Sequence, residues 1–352
     1  MSVKTGRRAF LQPKTLTSTL DVSAAFSSEV QGETHEELIR AGRPAMACQF
    51  EVFFPASQRK KIQNVHLALD EIQQLEKQMS VFRQDSEISS INRLAAQGPV
   101  LVEEQLFNLL CLAADLHERT NGSFDITSGP LSECWGFSMR EGKVPTGQEI
   151  AHVRSLIGTK WMDLDRAGCC AFFRQPELQL NLGSIGKGYA LDRAAVVLKK
   201  GGLEQVLLHA GHSSLLAKGS PVAEAEGWKV SIRHPLHLDR DLAVLSLCDQ
   251  AMSTSGAGEQ YFRVKGKKYG HVIDPRSGYP ADVNLSATAL TSSGAEADAL
   301  STAFFVMHPE EIEKYCQVHP QVGALIVPKS AEGEPLECFS FGITPEDLEV
   351  CL

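Results

Sequence analysis

Between residues 178 and 211 the chain reads LQLNLGSIGKGYALDRAAVVLKKGGLEQVLLHAG, and no other stretch limits the fold as tightly. Leu178, Leu180 and Leu182 alternate as in a strand, and three glycines around one lysine (Gly183, Gly186, Lys187, Gly188) then break the pattern. Leu191, Ala194, Ala195 and Leu198 follow at the three- and four-residue steps of a helix. Lys199 and Lys200 suit the negative end of its dipole, and Gly201 is placed for a left-handed cap. A further apolar run begins at Val206, so the spacing predicts strand, tight loop, helix, strand. Glycines let backbone N–H groups approach an anion, and a helix start adds positive field, so the loop suits a phosphate-bearing ligand. It is not a Walker A loop, because glycine follows the lysine where Ser or Thr is required. It is not a dinucleotide fingerprint either, because Leu191 stands where the third glycine belongs. The residues alone leave a plain structural turn open.

The chain has 352 residues, 43% hydrophobic and 22% charged, which is the make-up of a globular protein without a membrane-spanning segment. Its net charge of −9 argues against nucleic acid as a partner and repels anionic substrates at long range. A phosphate site here therefore needs local compensation from a lysine or a metal. Nine cysteines form no C-x-x-C pair and mostly sit in apolar stretches, as reduced cysteines of a cytoplasmic protein do. Against that stands Thr5-Gly6-Arg7-Arg8-Ala9-Phe10-Leu11, which looks like a degenerate twin-arginine export leader but lacks the apolar run such a signal needs, so a periplasmic location stays open.

Residues 1–42 are polar and read as a flexible leader, and residues 43–352 as a single domain of two lobes, about 43–180 and 181–352. Phe50, Val52 and Phe54 alternate in a strand over 47–54. Helices are expected over 58–79, over 103–119 with Gly122 as cap, and from Thr146, where Thr146 and Glu149 form a capping box. The second half reads as strands at 228–232, 242–247, 285–290 and 324–327 with a hairpin around Gly266-Lys267. Three polar segments, 253–256, 271–280 and 296–303, lie between them. The fold class that follows is α+β, with antiparallel sheets and flanking helices in two lobes around one cleft.

Two of these segments carry candidate chemistry. Ser293 and Glu296 form a capping box that starts a helix near Gly294. On that helix Asp298, Ser301 and Thr302 stand at i, i+3 and i+4, on one face. One carboxylate and two hydroxyls suit magnesium, which takes hard oxygens and fills its shell with water and phosphate, better than zinc; a solvated helix face is the other reading. His271, beside Asp274-Pro275, either hydrogen-bonds its turn or takes a proton from a nucleophile.

Taken in order, residues 79–82 (MSVF), 86–92 (SEISSIN), 124–137, 182–190 (LGSIGKGYA) with 192–195, 253–256 (STSG), 271–280 (HVIDPRSGYP) and 297–303 (ADALSTA) resemble the ApbE family of FAD:protein FMN transferases, over roughly residues 46–307. The resemblance implies an ApbE-like, T-fold-related architecture. It also implies an enzyme that binds FAD, splits its pyrophosphate with Mg2+ and transfers FMN to a threonine hydroxyl of an acceptor flavoprotein, releasing AMP. Asp298, Ser301, Thr302 and the neighbourhood of Ser184 are the implied metal ligands. Met46, Phe82, Phe124, Asp125, Ile126, Asn181, Lys187, His271 and Val272 are the implied flavin-nucleotide contacts. Lys187 would offset charge on the diphosphate and His271 would accept the proton. FAD pyrophosphatase activity, or FAD binding without turnover, are the alternatives. Three positions depart from the pattern: Asn181 stands for an aspartate, Phe82 for a tyrosine, and Ala210-Gly211-His212-Ser213 for Ala-Gly-Gly-Asp or Asn.

Overall fold

Eight antiparallel strands that follow one another in chain order frame the computed structural model, which describes residues 37–222, 225–237, 239–256, 260–330 and 335–351. They are β1 (Leu38–Ala45), β2 (Cys48–Pro55), β3 (Val206–Ala210), β4 (Ser214–Lys218), β5 (Ala251–Gly256), β6 (Asn284–Thr291), β7 (Gly323–Pro328) and β8 (Phe339–Phe341). The rest of the chain consists mainly of excursions between neighbouring strands. Between β2 and β3 run α1 (Ile62–Met79), α2 (Glu87–Leu94), α3 (Glu104–Arg119), α4 (Gly129–Cys134), α5 (Gly147–Leu156) and α6 (Gly186–Lys200). Between β6 and β7 run α7 (Gly294–Val306) and α8 (Pro309–Val318).

Side-chain alternation assigns the two faces of the sheet. Phe50, Val52 and Phe54 of β2 share one core with Leu69 and Ile72 of α1 and Leu198 of α6. Phe53, between them, points the other way into a second core with Trp228, Leu245 and Leu247. Those last residues belong to a small sheet of Trp228–Arg233, Asp241–Leu247 and Leu348–Val350. The sheet is thus sandwiched, helices on one side and a three-stranded layer on the other, and each fully buried large side chain contributes about 1.5–3 kcal/mol. A third cluster of Trp135, Phe137, Ile150 and Phe262 ties the loop after α3 to a hairpin, Tyr261–Val264 and Lys267–Gly270.

The antiparallel α+β class and the strands of the second half are as the sequence predicts, while several local expectations change. The expected leader overlaps β1, which starts at Leu38 and tolerates Pro44 because it is an edge strand. Strands from both sequence halves share one sheet, so no break in the sheet coincides with residue 180. The helix expected from Gln58 opens as a 3₁₀ turn and becomes α-helical at Ile62. The left-handed cap of α6 falls on Gly202 (φ 73°), not Gly201 (φ −80°). Residues 178–182 are buried and alternate, yet pair with no strand. The Asn92 side chain takes the part of a neighbouring strand, accepting from Leu180 N (2.8 Å) and donating to Leu180 O (3.0 Å). Residues 253–256, read as a polar connector, are the end of β5. The expected twin-arginine segment lies outside the described residues. Among the described residues no helix is long and apolar enough to cross a membrane.

Candidate active site

Helices α6 and α7 cross where two glycines meet. A Cβ on Gly188 would lie 1.9 Å from Gly294 O, so no side chain fits at the crossing. The Asp192 carboxylate on α6 then caps α7, accepting from Gly294 N (2.7 Å), Ala295 N (2.9 Å) and Ser293 Oγ (2.9 Å). Burial raises the Asp192 pKa, and these three bonds oppose that rise. The capping box expected at Ser293 is half formed: Ser293 Oγ accepts from Glu296 N, but Glu296 turns away to Arg119 Nη2 (2.8 Å).

This crossing brings the start of α6 against Asp298. Gly188 N donates to Asp298 Oδ2 (3.1 Å), and Ser214 Oγ (2.8 Å) and Ser253 Oγ (2.9 Å) donate to Oδ1. Asp298 is 4% exposed and forms no ion pair among the described residues. Three hydrogen bonds offset part of the cost of burying a carboxylate, and its charge remains. Ser301 and Thr302 donate their hydroxyl protons to the Asp298 carbonyl (2.9 and 3.3 Å), and Ser301 Oγ also lies 3.1 Å from Ser255 Oγ and 3.3 Å from Ser253 Oγ. Asp298, Ser301 and Thr302 offer the hard oxygen atoms that could hold a magnesium ion. Ser184, half-buried, lies in the turn that leads into α6.

Lys187 reaches the same group through hydroxyls. Its Nζ donates to Ser213 Oγ (2.6 Å), which lies 3.2 Å from Ser214 Oγ. Ser213 stands where the family pattern has Asp or Asn, and among the described residues Lys187 has no carboxylate partner, so its full charge is available to an anion. The β1–β2 turn lies on the same rim of the sheet, linked to the β3–β4 turn by Gly211 N donating to Gln49 O (2.8 Å). Met46 (φ 49°) and Ala47 (φ 58°) both adopt the left-handed conformation that a two-residue hairpin normally gives to Asn-Gly. Glu76 holds the turn by accepting from Met46 N (2.6 Å). Left-handed backbone costs an ordinary residue roughly 1–2 kcal/mol and concentrates at functional sites.

Asn181 Oδ1 accepts from Gly183 N (2.9 Å) and opens the glycine turn, a bond an aspartate would make equally. Asn181 N donates to Ile126 O (2.7 Å), tying the loop at residues 124–126 to that turn. Phe124 and Ile126 point into the core, so they reach a ligand only by backbone. Asp125 also faces inward, accepting from Thr127 N (2.8 Å) and Thr127 Oγ1 (2.7 Å). Phe82 is 86% exposed and packs on nothing buried. His271 N donates to Gln260 O (3.0 Å), and its Nδ1 lies 3.2 Å from the same carbonyl. That geometry puts a proton on Nδ1 and makes Nε2 the acceptor nitrogen of the neutral ring. Val272 and His271 line a cavity of about 290 Å3 that begins at Gly256, one residue beyond Ser255, whose Oγ is 3.1 Å from Ser301 Oγ. The following turn is rigid: Arg276 clamps Asp274 (Nε–Oδ1 3.0 Å, Nη2–Oδ2 3.1 Å), and Trp135 Nε1 donates to Gly278 O (2.9 Å).

Lys187, Asp298, Ser301, Thr302, Met46 and His271 thus gather at one rim of the sheet, while Phe82 stands out in solvent and Asp125 turns away. Four contributors escaped the sequence reading: Ser214, Ser253, Asp192 and Glu76. The STSG segment and the Asp192-Arg193 pair were signals without an assigned role; Ser214 and Glu76 gave none.

Comparison with known proteins identifies the family. The ApbE family model matches residues 46–326. An FAD:protein FMN transferase of Klebsiella pneumoniae is 31% identical over 264 residues, covering 73% of this chain and 73% of that protein. One of Escherichia coli K12 is 28% identical over 293 residues, covering 81% and 80%. Among solved structures, an ApbE protein of Thermotoga maritima superposes with a TM-score of 0.76 at 28% identity, over 86% of this chain and 96% of that one. Flavin transferase ApbE from Vibrio cholerae gives a TM-score of 0.74 at 27% identity, over 87% and 98%. With the family match spanning most of the sequence and solved ApbE structures superposing on the fold, the chain belongs to the ApbE family.

Proposed function

We propose that this chain transfers the FMN moiety of FAD to a threonine hydroxyl of an acceptor flavoprotein, with magnesium, and releases AMP. The observation that carries the reading is the buried Asp298 carboxylate joined through Ser214 and Ser213 to the Lys187 ammonium, neither with an ion-pair partner among the described residues. The relatives of similar length that bear the name FAD:protein FMN transferase support it.

In the reaction the acceptor hydroxyl oxygen attacks the phosphorus that carries riboflavin. A new P–O bond forms, the phosphoanhydride breaks, and AMP departs with the bridging oxygen. The hydroxyl proton passes to Nε2 of His271, whose Nδ1–H is held by Gln260 O. Lys187 offsets charge on the diphosphate oxygens. Magnesium, when bound, neutralises the remaining diphosphate charge. The strained Met46-Ala47 turn flanks the flavin end.

Incubation with FAD, magnesium chloride and an acceptor carrying an exposed threonine, followed by mass spectrometry, is expected to give an FMN adduct on that threonine and one AMP per adduct. FMN and AMP released without acceptor at the same rate would make the chain a pyrophosphatase. Bound FAD with neither product would make it a flavin-binding protein.

A further inference from the structure

The hairpin beside the site is more positive than its surroundings account for. Residues 261–270 read YFRVKGKKYG, with four cations and no carboxylate, in a chain of net charge −9. One face is anchored: Phe262 pairs across the hairpin with Tyr269, their rings 5.3 Å apart, and packs on Phe137 at 5.2 Å. On the opposite face Arg263 pairs directly with Lys268, and like charges in opposed register destabilise a hairpin. Arg263, Lys265, Lys267 and Lys268 are all exposed, and none has an ion-pair partner among the described residues. Lys268 lies over the Tyr261 ring (4.3 Å), and with Arg263 and Lys329 near it, burial and those two charges lower its pKa. A repulsive pair kept on a solvent face, next to chemistry, points to an anion that arrives from outside.

The location says which anion. Lys267 and Lys268 share the cavity that also holds Gly256, His271 and Val272, whose other lysine, Lys329, is paired with Asp282 (2.5 Å), so the patch begins at the acceptor end of the site. The diphosphate already has Lys187 and the metal-binding oxygens. A nucleic acid or an anionic membrane would need a basic surface extending beyond one hairpin, whereas the chain as a whole is acidic.

We propose that the 261–270 hairpin docks an acidic segment of the protein acceptor and so brings its hydroxyl to His271. This rests on the transfer reading above. Surface complementarity of this kind acts on encounter and specificity more than on the chemical step.

The test uses the full chain and the surface variant Lys267→Glu/Lys268→Glu. The probes are two fluorescent threonine peptides of equal length, one flanked by aspartates and one by asparagines. Anisotropy in low salt is expected to show the aspartate peptide binding at least tenfold tighter than the asparagine peptide. The variant and added salt should each remove that preference, with FAD affinity unchanged. Equal binding of both peptides would overturn the proposal. So would a variant that weakens FAD binding instead, which would make the lysines a nucleotide subsite, or one that loses binding only to phosphatidylglycerol vesicles. Because peptide binding is read without turnover, its failure is separate from a failure of FMN transfer, which the mass-spectrometric assay reports.

Discussion

Asp125 and Asp298 are both buried and both accept several hydrogen bonds, yet they differ in the side chains that stand beside them. Asp125 Oδ2 lies 3.5 Å from His117 Nδ1, which carries a proton because it also sits 2.9 Å from Phe124 O. The protein closes that knot by itself, and the knot fixes the loop at residues 124–127. Asp298 has two serine hydroxyls and one backbone amide, and no cation among the described residues. Two carboxylates with similar bond counts thus differ in surroundings, and the proposed function gives the second, not the first, a metal to hold.

The strongest way to break this comparison is Asp298→Asn. The amide can still accept from Gly188 N and donate to the serine oxygens, so thermal stability without metal is expected to hold or rise. Transfer should fall on the order of 10³-fold, about 4 kcal/mol of lost charge stabilisation, and the rise in Tm that magnesium gives the native chain should vanish. A variant that keeps its rate would show that Asp298, like Asp125, is structural.

His209 extends the contrast to a buried base. Its cross-strand neighbour Glu51 is taken by Arg40 (2.7 Å). Burial first, then the charges of His212, Arg40 and Arg233, press its pKa down to about 4. Because the folded value is below the ordinary 6.5, the associated stability is fully present above pH ~6.5 and is lost as pH falls through ~4, in total about 3 kcal/mol. Urea midpoints measured between pH 7 and pH 4 should fall accordingly, and His209→Leu should flatten that limb.

Asp125→Asn gives the smallest effect. It sets an N–H against the His117 Nδ1–H, and should cost about 1–3 kcal/mol in denaturant stability. Transfer at saturating FAD should fall less than tenfold, and the magnesium-dependent shift in Tm should stay intact. Loss of that shift would place Asp125 in the metal site instead.

How much of this was legible beforehand depended on whether the pattern was local. The face of Asp298, Ser301 and Thr302 follows from helix spacing, and the strands of the second half from alternation. Ser214 and Ser253 could not be read, because they meet Asp298 only through the pairing of β4 with β5 and the packing of α7 beneath them. Residues 178–182 show the converse failure. Their alternation is real, but the partner is one asparagine side chain rather than a strand, and no periodicity reports that. Strand β1 was hidden by Arg40, Gly42, Arg43 and Pro44, which are tolerable because its outer edge pairs with nothing among the described residues. Gly188 looked like a phosphate glycine; the contact that forbids a side chain there is with Gly294, far along the chain.

The order of the sheet also sets a schedule for folding. Residue 50 on β2 must find residue 210 on β3, and the whole excursion through α1–α6 lies between. Closing so long a loop adds little to the equilibrium cost but slows the search. Helices α1 and α6, which pack together and are joined by Arg193–Glu71 (2.9 Å), bring the two strands within reach. The β1–β2 hairpin, made first on the ribosome, therefore waits with the inner edge of β2 unpaired. The turns at 46–47 and 211–213 become neighbours only at the end, so competence to bind flavin should return on refolding after the helices have formed, as the last event rather than the first.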